Sequence, residues 1–355
     1  MKIFLIIPTL KQGGAERVMS VLANNLSQLN HEVHLVLLAH SKGFYKVNGN
    51  VNIHHLGFQN KGAIQKKTSE INTFLKLRKL LKKEKPEATL SFMDKYNVLT
   101  ILASSFLNLR IFVSDRSNPK KEISSSLQYL KKLTYKHATG IVAQTSLAKE
   151  VIYGHTKNTN IEVIANPLKD VVLYPDVAKE KIIINVGRLI PEKGQKFLID
   201  AFSNMKVKDW KLVILGDGNL KQALKCQIDD LGLTKSVIMP GAVSDVDHWL
   251  ARASIFAFSS VSEGFPNALV EAMAAGLPCV SFDCDAGPKD IISNGLNGFL
   301  IDTKNVEALA SKLDALCLDI NLRIKIGEEA TKVRDKLNAN MITKKYINFF
   351  MSEPK

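Results

Sequence analysis

The sequence lacks the long apolar run that a membrane-spanning helix requires. Its longest stretch of this kind, residues 98–109, is shorter than the roughly 18 residues needed to cross a bilayer, and it contains serine and threonine. The N-terminal apolar segment is too short for a secretory signal and has no small-residue cleavage site, so it predicts a first strand. We therefore expect a cytoplasmic protein.

Cysteine is also scarce. All four cysteines lie in the second half of the chain and none forms a Cys-x-x-Cys pair: Cys226, Cys279, Cys284 and Cys317. This pattern excludes a disulfide scaffold, favours reduced thiols and gives no sign of a zinc site. Aromatic residues make up only 7% of the 355 residues, whereas the hydrophobic fraction is 46%. The chain is thus large enough for two domains with substantial cores, and it suits an α/β protein.

Acidic residues are few in the first half. Residues 1–170 contain 25 Lys and Arg against 11 Asp and Glu, whereas residues 171–355 contain 23 of each, so the first half carries the whole net charge of +14. Two segments concentrate the lysines, residues 61–85 and 119–136. Each has leucines at helical spacing among the charges: Leu77, Leu80, Leu81, and Leu127, Leu130, Leu133.

A basic amphipathic helix is typical of an anionic membrane contact or a polyphosphate-binding face. A solvated helix whose apolar side packs on a sheet gives the same pattern, and for each segment both interpretations stay open. The uneven charge favours a functional basic surface. Nucleic acid is not an expected partner, because the sequence has no zinc finger, RNP-like motif or recognisable helix-turn-helix.

Strand-like and helix-like segments alternate along the chain in two successive cycles. Asn166-Pro167 ends the first cycle, and the linker is predicted within residues 167–180. Such alternation predicts two doubly wound parallel sheets, that is, two Rossmann-like domains with a ligand cleft between their carboxyl edges. The last helical segment, residues 321–351, is not followed by a strand.

Two carboxylates are the most informative feature. Glu263 precedes a Gly-Phe-Pro-Asn loop, and Glu271 lies within the helix that this loop begins. The N–H groups at the start of that helix form a pocket for an anion. This layout suits a phosphorylated ligand held by amides, with a hydroxyl-rich group on each carboxylate.

Two cations follow another predicted strand. Arg188 and Lys193 share one loop at the carboxyl edge of the second sheet, where such folds bind ligands. An arginine, which can bind two oxygens at once, together with the point charge of a lysine suits a diphosphate. A pair of solvated loop cations is the alternative.

Several smaller motifs are weaker indications of function. Gly13-Gly14 after the first strand is either a simple helix cap or an anion site, and it is not the dinucleotide fingerprint, so a nicotinamide cofactor is not expected. Gly216-Asp217-Gly218 predicts a tight turn that lies under a nucleoside or is only a turn. Of the two Asp-x-Asp pairs, Asp245/Asp247 is interpreted as helix surface, and Asp283/Asp285 as cleft lining or a helix cap. Neither is expected to bind a metal.

Taken together, these motifs resemble the family 4 retaining glycosyltransferases, which have the GT-B fold of two Rossmann-like domains. The resemblance spans the chain and lies in Gly-Gly-Ala-Glu-Arg (13–17), Val-Gly-Arg-Leu (186–189), Glu-Lys-Gly (192–194), Gly-Asp-Gly (216–218) and Glu-Gly-Phe-Pro-Asn (263–267). Gly-Pro-Lys-Asp-Ile-Ile (287–292) is similar to enzymes of bacterial surface polysaccharide and lipid-linked oligosaccharide assembly.

The resemblance implies a role for each domain. Residues 1–170, with a crossing helix at 340–355, would bind the acceptor, and residues 171–339 would bind a nucleotide-sugar donor. Arg188 and Lys193 would stabilise the departing diphosphate, Glu271 would bind the ribose, and Glu263 would contact the donor sugar. Pro266 would shape its loop, and Gly14 would approach the β-phosphate. The full donor-binding set is Gly14, Gly187, Gly216, Gly218, Gly264, Phe265, Pro266, Asn267, Ala268 and Glu271.

One stretch departs from the family pattern. Arg116 stands where many members place a histidine near the donor sugar, and it would contact either the acceptor phosphate or that sugar. Asp94, Asn97 and Asp115 are further acceptor-side candidates.

The function that the resemblance implies is transfer of a hexose or N-acetylhexosamine, with retention, from a nucleotide sugar to a polyprenyl-diphosphate-linked glycan. The nucleotide of the donor is expected to be uridine diphosphate. No metal or cofactor is expected, because two cations and a helix N-terminus can stabilise the leaving group. The enzyme would sit on the inner face of the cytoplasmic membrane. The alternatives are a nucleotide-sugar 2-epimerase of the same fold and a non-catalytic polysaccharide-assembly protein.

Overall fold

The structure is a computed structural model that describes residues 1–40, 43–58 and 63–353. The chain divides into two compact units. The N-terminal unit comprises Met1–Pro167 together with the chain from Ala339 onward, and the C-terminal unit comprises Leu168–Asn338. The sequence placed these boundaries at 170/171 and 339/340. Lys61, where the first basic segment was predicted to begin, and residues 354–355 of the predicted crossing helix lie outside the described residues.

The N-terminal unit is built on a seven-stranded parallel sheet in the order β3-β2-β1-β4-β5-β6-β7. The strands are β1 (Lys2–Ile7), β2 (Glu32–Ala39), β3 (Asn52–Phe58), β4 (Ala88–Phe92), β5 (Ile111–Ser114), β6 (Gly140–Ala143) and β7 (Ile161–Val163). The helices between them are α1 (Gly14–Gln28), α2 (Ala63–Glu84), α3 (Asp94–Ser104), α4 (Ser125–Thr134) and α5 (Ser146–Thr156). Strands β4 to β6 are buried along their whole length, as expected for a sheet covered by helices on both faces.

The C-terminal unit repeats this plan with a six-stranded parallel sheet in the order β10-β9-β8-β11-β12-β13. Its strands are β8 (Ile182–Val186), β9 (Lys211–Leu215), β10 (Val237–Gly241), β11 (Ile255–Phe258), β12 (Cys279–Phe282) and β13 (Phe299–Ile301). Its helices are α6 (Gln195–Asn204), α7 (Lys221–Asp230), α8 (Val246–Arg252), α9 (Asn267–Ala274), α10 (Pro288–Ile291), α11 (Val306–Leu318), α12 (Ile320–Thr331) and α13 (Val333–Lys336). The predicted architecture of two Rossmann-like parallel sheets is confirmed.

The last helix, α14 (Ala339–Met351), belongs to the N-terminal unit. Phe349 stacks edge-on against Phe112 of β5, with ring centroids 5.2 Å apart. Gly140 makes room for this contact, because a Cβ atom there would lie 2.5 Å from the Phe349 ring.

Both basic segments present apolar side chains at the surface. On α2, Leu77 and Leu81 are fully buried in the core and pack on the sheet, whereas Ile71 of the same helix is 62% exposed. On α4, Leu130 and Leu133 are each 41% exposed. The packed-helix interpretation therefore holds for part of the apolar side of α2.

All four cysteines are unpaired, and only Cys226 is exposed. Burial raises the pKa of Cys279 well above its ordinary value, and raises the pKa values of Cys284 and Cys317 to about 12. Among the described residues, no helix is both long and apolar enough to span a membrane.

Candidate active site

Adjacent strands of the C-terminal sheet bring Lys193 and Glu263 together. Lys193 ends the turn after β8, and Glu263 follows β11, which pairs with β8. The Lys193 Nζ donates to Glu263 Oε1 at 2.5 Å, and Glu263 is only 9% exposed. The ammonium therefore compensates a carboxylate that burial would otherwise penalise, and each side chain fixes the other.

The backbone under this pair is closely packed. Ser259 donates its hydroxyl to the carbonyl of Lys193 at 3.0 Å. Gly194 has a φ of +61°, and a Cβ atom there would lie 2.2 Å from the carbonyl oxygen of Ser259. Only glycine satisfies both constraints at this turn. The close approach holds the Lys193 loop against the strand that leads to Glu263.

Arg188 lies on the same loop with its side chain exposed. In the described part of the chain, its guanidinium makes no hydrogen bond or ion pair, so it can contact a ligand. Its position is fixed through its carbonyl, which accepts from Gln195 Nε2 at 3.0 Å. Arg188 is thus an exposed cation whose backbone is held in place by a hydrogen bond.

The Gly216-Asp217-Gly218 turn supports the Arg188 loop by direct backbone contact. Gly216 has a φ of +139°, and a Cβ atom there would lie 1.9 Å from the carbonyl oxygen of Gly187. A Cβ atom at Gly218 would lie 2.3 Å from the carbonyl oxygen of Leu189. The two turns are joined by the hydrogen bond from the N–H of Leu189 to the carbonyl of Asp217, at 2.9 Å.

The loop before α9 is held by its neighbour after β12. Pro266 fills the space beside Gly287, where a Cβ atom would lie 2.3 Å from the proline ring. The backbones of Asp285 and Ser262 form an isolated β-bridge. The carboxylate of Asp283 forms an ion pair with Lys289 at 2.7 Å. The second Asp-x-Asp pair therefore belongs to a loop that packs behind residues 262–266.

Helix α9 begins at Asn267, as the motif predicts. Among the N–H groups at the helix start that are predicted to hold an anion, that of Asn267 already donates to the carbonyl of Phe265 at 3.0 Å. Phe265 itself is buried, whereas Gly264 and Ala268 are half-buried. The loop is thus partly closed by its own hydrogen bond.

Glu271 is buried on α9 and takes part in an ionic cluster that the sequence did not indicate. Lys169 Nζ lies 3.8 Å from Glu271 Oε2 and 2.8 Å from Asp247 Oδ1. The interpretation of Asp247 as helix surface is wrong, because the chain after Leu168 covers it. Asp247 also accepts from the N–H of Val172 at 3.2 Å, whereas Asp245 caps α8.

At the carboxyl edge of the N-terminal sheet, α1 begins at Gly14, as predicted. The carboxylate of Glu16 lies over the helix start, because a Cβ atom at Gly13 would be 2.2 Å from its Oε2. Burial raises the pKa of Glu16. An acidic side chain of the same helix thus lies against Gly13, whereas Gly14 is exposed.

The acceptor-side candidates Asp94, Asn97 and Asp115 form one network. Lys131 of α4 donates to Asp94 Oδ1 at 2.5 Å and to Asp115 Oδ2 at 2.7 Å. The Tyr135 hydroxyl donates to Asp115 Oδ1 at 2.5 Å, and Asn97 Nδ2 donates to that hydroxyl at 3.0 Å. Sequence reasoning missed Lys131 and Tyr135, which it treated as part of a basic helix.

Burial and charge within this network shift the pKa values of Asp94 and Lys131. Burial and the neighbouring Asp115 raise the pKa of Asp94, despite the opposing charge of Lys131. Burial lowers the pKa of Lys131, but the two carboxylates outweigh this effect and the pKa is raised. The lysine therefore stays charged at neutral pH.

Arg116 follows β5 with a φ of +75°, a conformation uncommon outside glycine. Its guanidinium lies 4.1 Å from the centroid of the Phe92 ring and donates to Asn166 Oδ1 at 2.6 Å. Burial lowers the pKa of Arg116. Beside it is a small pocket, lined by residues that include Asp115, Arg116, Lys131, Gln144 and His155.

Two sequence families together match most of the chain. The family described as Glycosyltransferase Family 4 matches residues 12–170, and the family described as Glycosyl transferases group 1 matches residues 174–333. The chain belongs to the family 4 glycosyltransferases. The resemblance drawn from the motifs is confirmed, and the non-catalytic alternative is set aside.

Two curated relatives of this glycosyltransferase come from Campylobacter jejuni. One, named GalNAc-α-(1→4)-GalNAc-α-(1→3)-diNAcBac-PP-undecaprenol α-1,4-N-acetyl-D-galactosaminyltransferase, is 28% identical over 93% of this chain and 92% of its own length. The other, N-acetylgalactosamine-N,N'-diacetylbacillosaminyl-diphospho-undecaprenol 4-α-N-acetylgalactosaminyltransferase, is 29% identical over 94% of this chain and 95% of its own length.

A solved structure supports the fold. The crystal structure of Anabaena HepE in complex with UDP matches with a TM-score of 0.83 and 19% identity, covering 98% of this chain and 99% of that one. The glycosyltransferase therefore has the predicted GT-B fold of two Rossmann-like units.

Proposed function

We propose that this glycosyltransferase moves a hexose or N-acetylhexosamine from a UDP-sugar, with retention and without a metal ion, to a polyprenyl-diphosphate-linked glycan. The observation that carries the proposal is the buried Lys193–Glu263 pair beside the exposed Arg188, at the carboxyl edge of the C-terminal sheet. The UDP in the HepE structure and the undecaprenol-linked acceptors in the Campylobacter names support the donor and the acceptor.

The proposed chemistry follows from the charges. The bond from the anomeric carbon to the β-phosphate oxygen breaks, and the bond to the acceptor oxygen forms on the same face. The acceptor proton passes to the departing diphosphate, whose new charge Arg188 and Lys193 stabilise. Because Lys193 neutralises Glu263 at 2.5 Å, that carboxylate is a poor nucleophile, which favours front-face attack. Glu263 then serves to orient Lys193 and to bind sugar hydroxyls.

On the acceptor side, Asp94, Asn97 and Asp115 are held by Lys131 and Tyr135 next to the pocket of the N-terminal unit. Arg116 is stacked and hydrogen-bonded, so we assign it to shape this pocket rather than to bind the donor sugar. The net charge of the two carboxylates and Lys131 is negative, which suits acceptor hydroxyls better than phosphate at that point.

The test is a donor screen with the purified protein and undecaprenyl-diphosphate-linked oligosaccharides. We expect UDP release only when both substrates are present, an α-linkage in the product by NMR, and unchanged activity in EDTA. Turnover of the UDP-sugar without acceptor would indicate the 2-epimerase instead. Loss of activity in EDTA that added metal restores would contradict the metal-independent mechanism.

The enzyme is proposed to dock on the inner face of the cytoplasmic membrane through α4. Exposed Tyr129, Leu130 and Leu133 share this helix with the exposed Lys132. Apolar side chains among lysines suit an anionic bilayer surface. The same helix contributes Lys131 to the acceptor-side carboxylates, so docking would place that network close to a lipid-linked substrate.

We expect the double variant Leu130→Ser/Leu133→Ser to bind vesicles containing anionic lipid at least about fivefold more weakly than the wild type, because two partly inserted leucines are lost. Sedimentation with vesicles of 30 mol% phosphatidylglycerol measures this. The matched control is Leu318→Ser on α11, where the leucine is 76% exposed. Equal weakening by both variants, or binding that high salt does not reduce, would refute docking through α4.

A further inference from the structure

Lys169 links the ribose candidate Glu271 to a second buried carboxylate. It follows Asn166-Pro167 near the start of the C-terminal unit, far from Glu271 in sequence. Its Nζ lies 2.8 Å from Asp247 Oδ1 and 3.8 Å from Glu271 Oε2. The other oxygen of Asp247 accepts from the N–H of Val172 at 3.2 Å, so Asp247 is fixed on both sides.

The three side chains are largely withdrawn from solvent. Side-chain exposure is 27% for Lys169, 10% for Asp247 and 11% for Glu271. Two neighbouring buried carboxylates repel each other in the absence of a cation. The lysine beside both offsets this repulsion.

The lysine lies at unequal distances from the two carboxylates. The ammonium is within hydrogen-bond distance of Asp247 but a full ångström farther from Glu271. Asp247 therefore holds Lys169 back, so that the lysine polarises Glu271 without capturing it in a tight pair. A carboxylate held in this state can accept hydrogen bonds from hydroxyl groups.

We propose that Lys169, set by Asp247, is a positioning residue that orients Glu271 for the ribose hydroxyls of the donor nucleotide. This inference rests on the ribose role of Glu271 in the proposed function. It adds two residues, Lys169 and Asp247, to the machinery that selects a ribonucleotide.

The test compares two ligands that differ only in the hydroxyls that Glu271 would bind. Isothermal titration calorimetry measures the binding of UDP and of 2′,3′-dideoxy-UDP to each variant. The wild type is expected to prefer UDP by about tenfold, as for a charge-assisted hydrogen bond. Lys169→Met should lose most of this preference, with dideoxy-UDP binding unchanged within about threefold, and Lys169→Arg should restore it.

Asp247→Asn should also reduce the preference, because Lys169 is then free to pair tightly with Glu271. Lys181→Met, which removes a surface ion pair with Asp209 in the same unit, is the matched control and should bind both nucleotides like the wild type. Circular dichroism melts check that each variant is folded.

The outcomes separate the inference from its premise. If Glu271→Gln abolishes the preference for UDP but Lys169→Met preserves it, the inference is wrong and the ribose role stands. If Lys169→Met weakens both nucleotides equally, the lysine is only structural. A wild type that does not distinguish the two nucleotides overturns the ribose role of Glu271, and the inference falls with it.

Discussion

Replacement of Lys193 by methionine is expected to lower kcat/KM for the donor by about 10²- to 10³-fold, the size of effect seen when one donor to a developing oxyanion is removed. The reason is that Lys193 Nζ is fixed at 2.5 Å from a buried carboxylate, so another side chain cannot take the place of this cation. Initial rates of UDP release over a range of donor concentrations measure the effect. Arg188→Ala should also lower kcat/KM, by about tenfold or more.

Activity in Lys193→Met can fall for two reasons, and a second substitution separates them. In Lys193→Met, Glu263 is left buried without its cation, which is costly in itself. Adding Glu263→Gln removes that cost but does not restore the cation that stabilises the leaving group. Full recovery of activity in the double variant would therefore contradict the assigned role of Lys193, as would kcat/KM within about threefold of wild type in Lys193→Met. An equally small effect of Arg188→Ala would contradict the assigned role of Arg188. Lys196→Met, on the exposed side of α6, is the control and should retain activity.

Replacement of Gly216 by alanine is expected to reduce the free energy of unfolding by about 3 kcal/mol and to reduce donor affinity at the same time. The added Cβ atom would lie 1.9 Å from the carbonyl oxygen of Gly187, so one of the two turns must move. Arg188 is the next residue after that carbonyl, which couples the structural damage to the diphosphate site. Urea unfolding and UDP titration measure the two effects.

Gly232→Ala provides the comparison for Gly216→Ala. Gly232 also has a positive φ, +66°, but a Cβ atom there would meet nothing within 4 Å. Its substitution should cost only the backbone strain, about 1 kcal/mol, and leave UDP binding unchanged. Equal losses of stability in both variants would show that the close approach of the two turns contributes nothing.

The sheets were predictable because each strand is a short apolar run bounded by turn residues, and alternation with helices dictates parallel pairing. Helix α2 shows the limit, since the leucines at helical spacing that indicate it lie at 77–81, whereas the helix begins at Ala63. Local propensity does not mark that boundary, because residues 63–68 lack the apolar period that identifies the rest of the helix.

The site residues were predictable as types, but their pairing was not. Arg188, Lys193, Glu263 and Glu271 stand at strand ends or in a helix N-terminus, which sequence can locate. That Lys193 neutralises Glu263 depends on β8 and β11 being neighbours, and strand order is set by the whole sheet. Asp247 was misplaced for the same reason, because a polar residue on a short helix gives no local sign that a distant segment covers it.

The distribution of the cysteines has a practical consequence. With Cys279, Cys284 and Cys317 buried and their pKa values raised, a maleimide should attach at neutral pH to Cys226 alone. The native enzyme thus carries one ready attachment point for a fluorophore on α7, without prior removal of other thiols. The same chemistry reports unfolding, because a mass spectrum would show one adduct on a folded molecule and four on a denatured one. The Gly216 and Gly232 variants can therefore be ranked by counting labels.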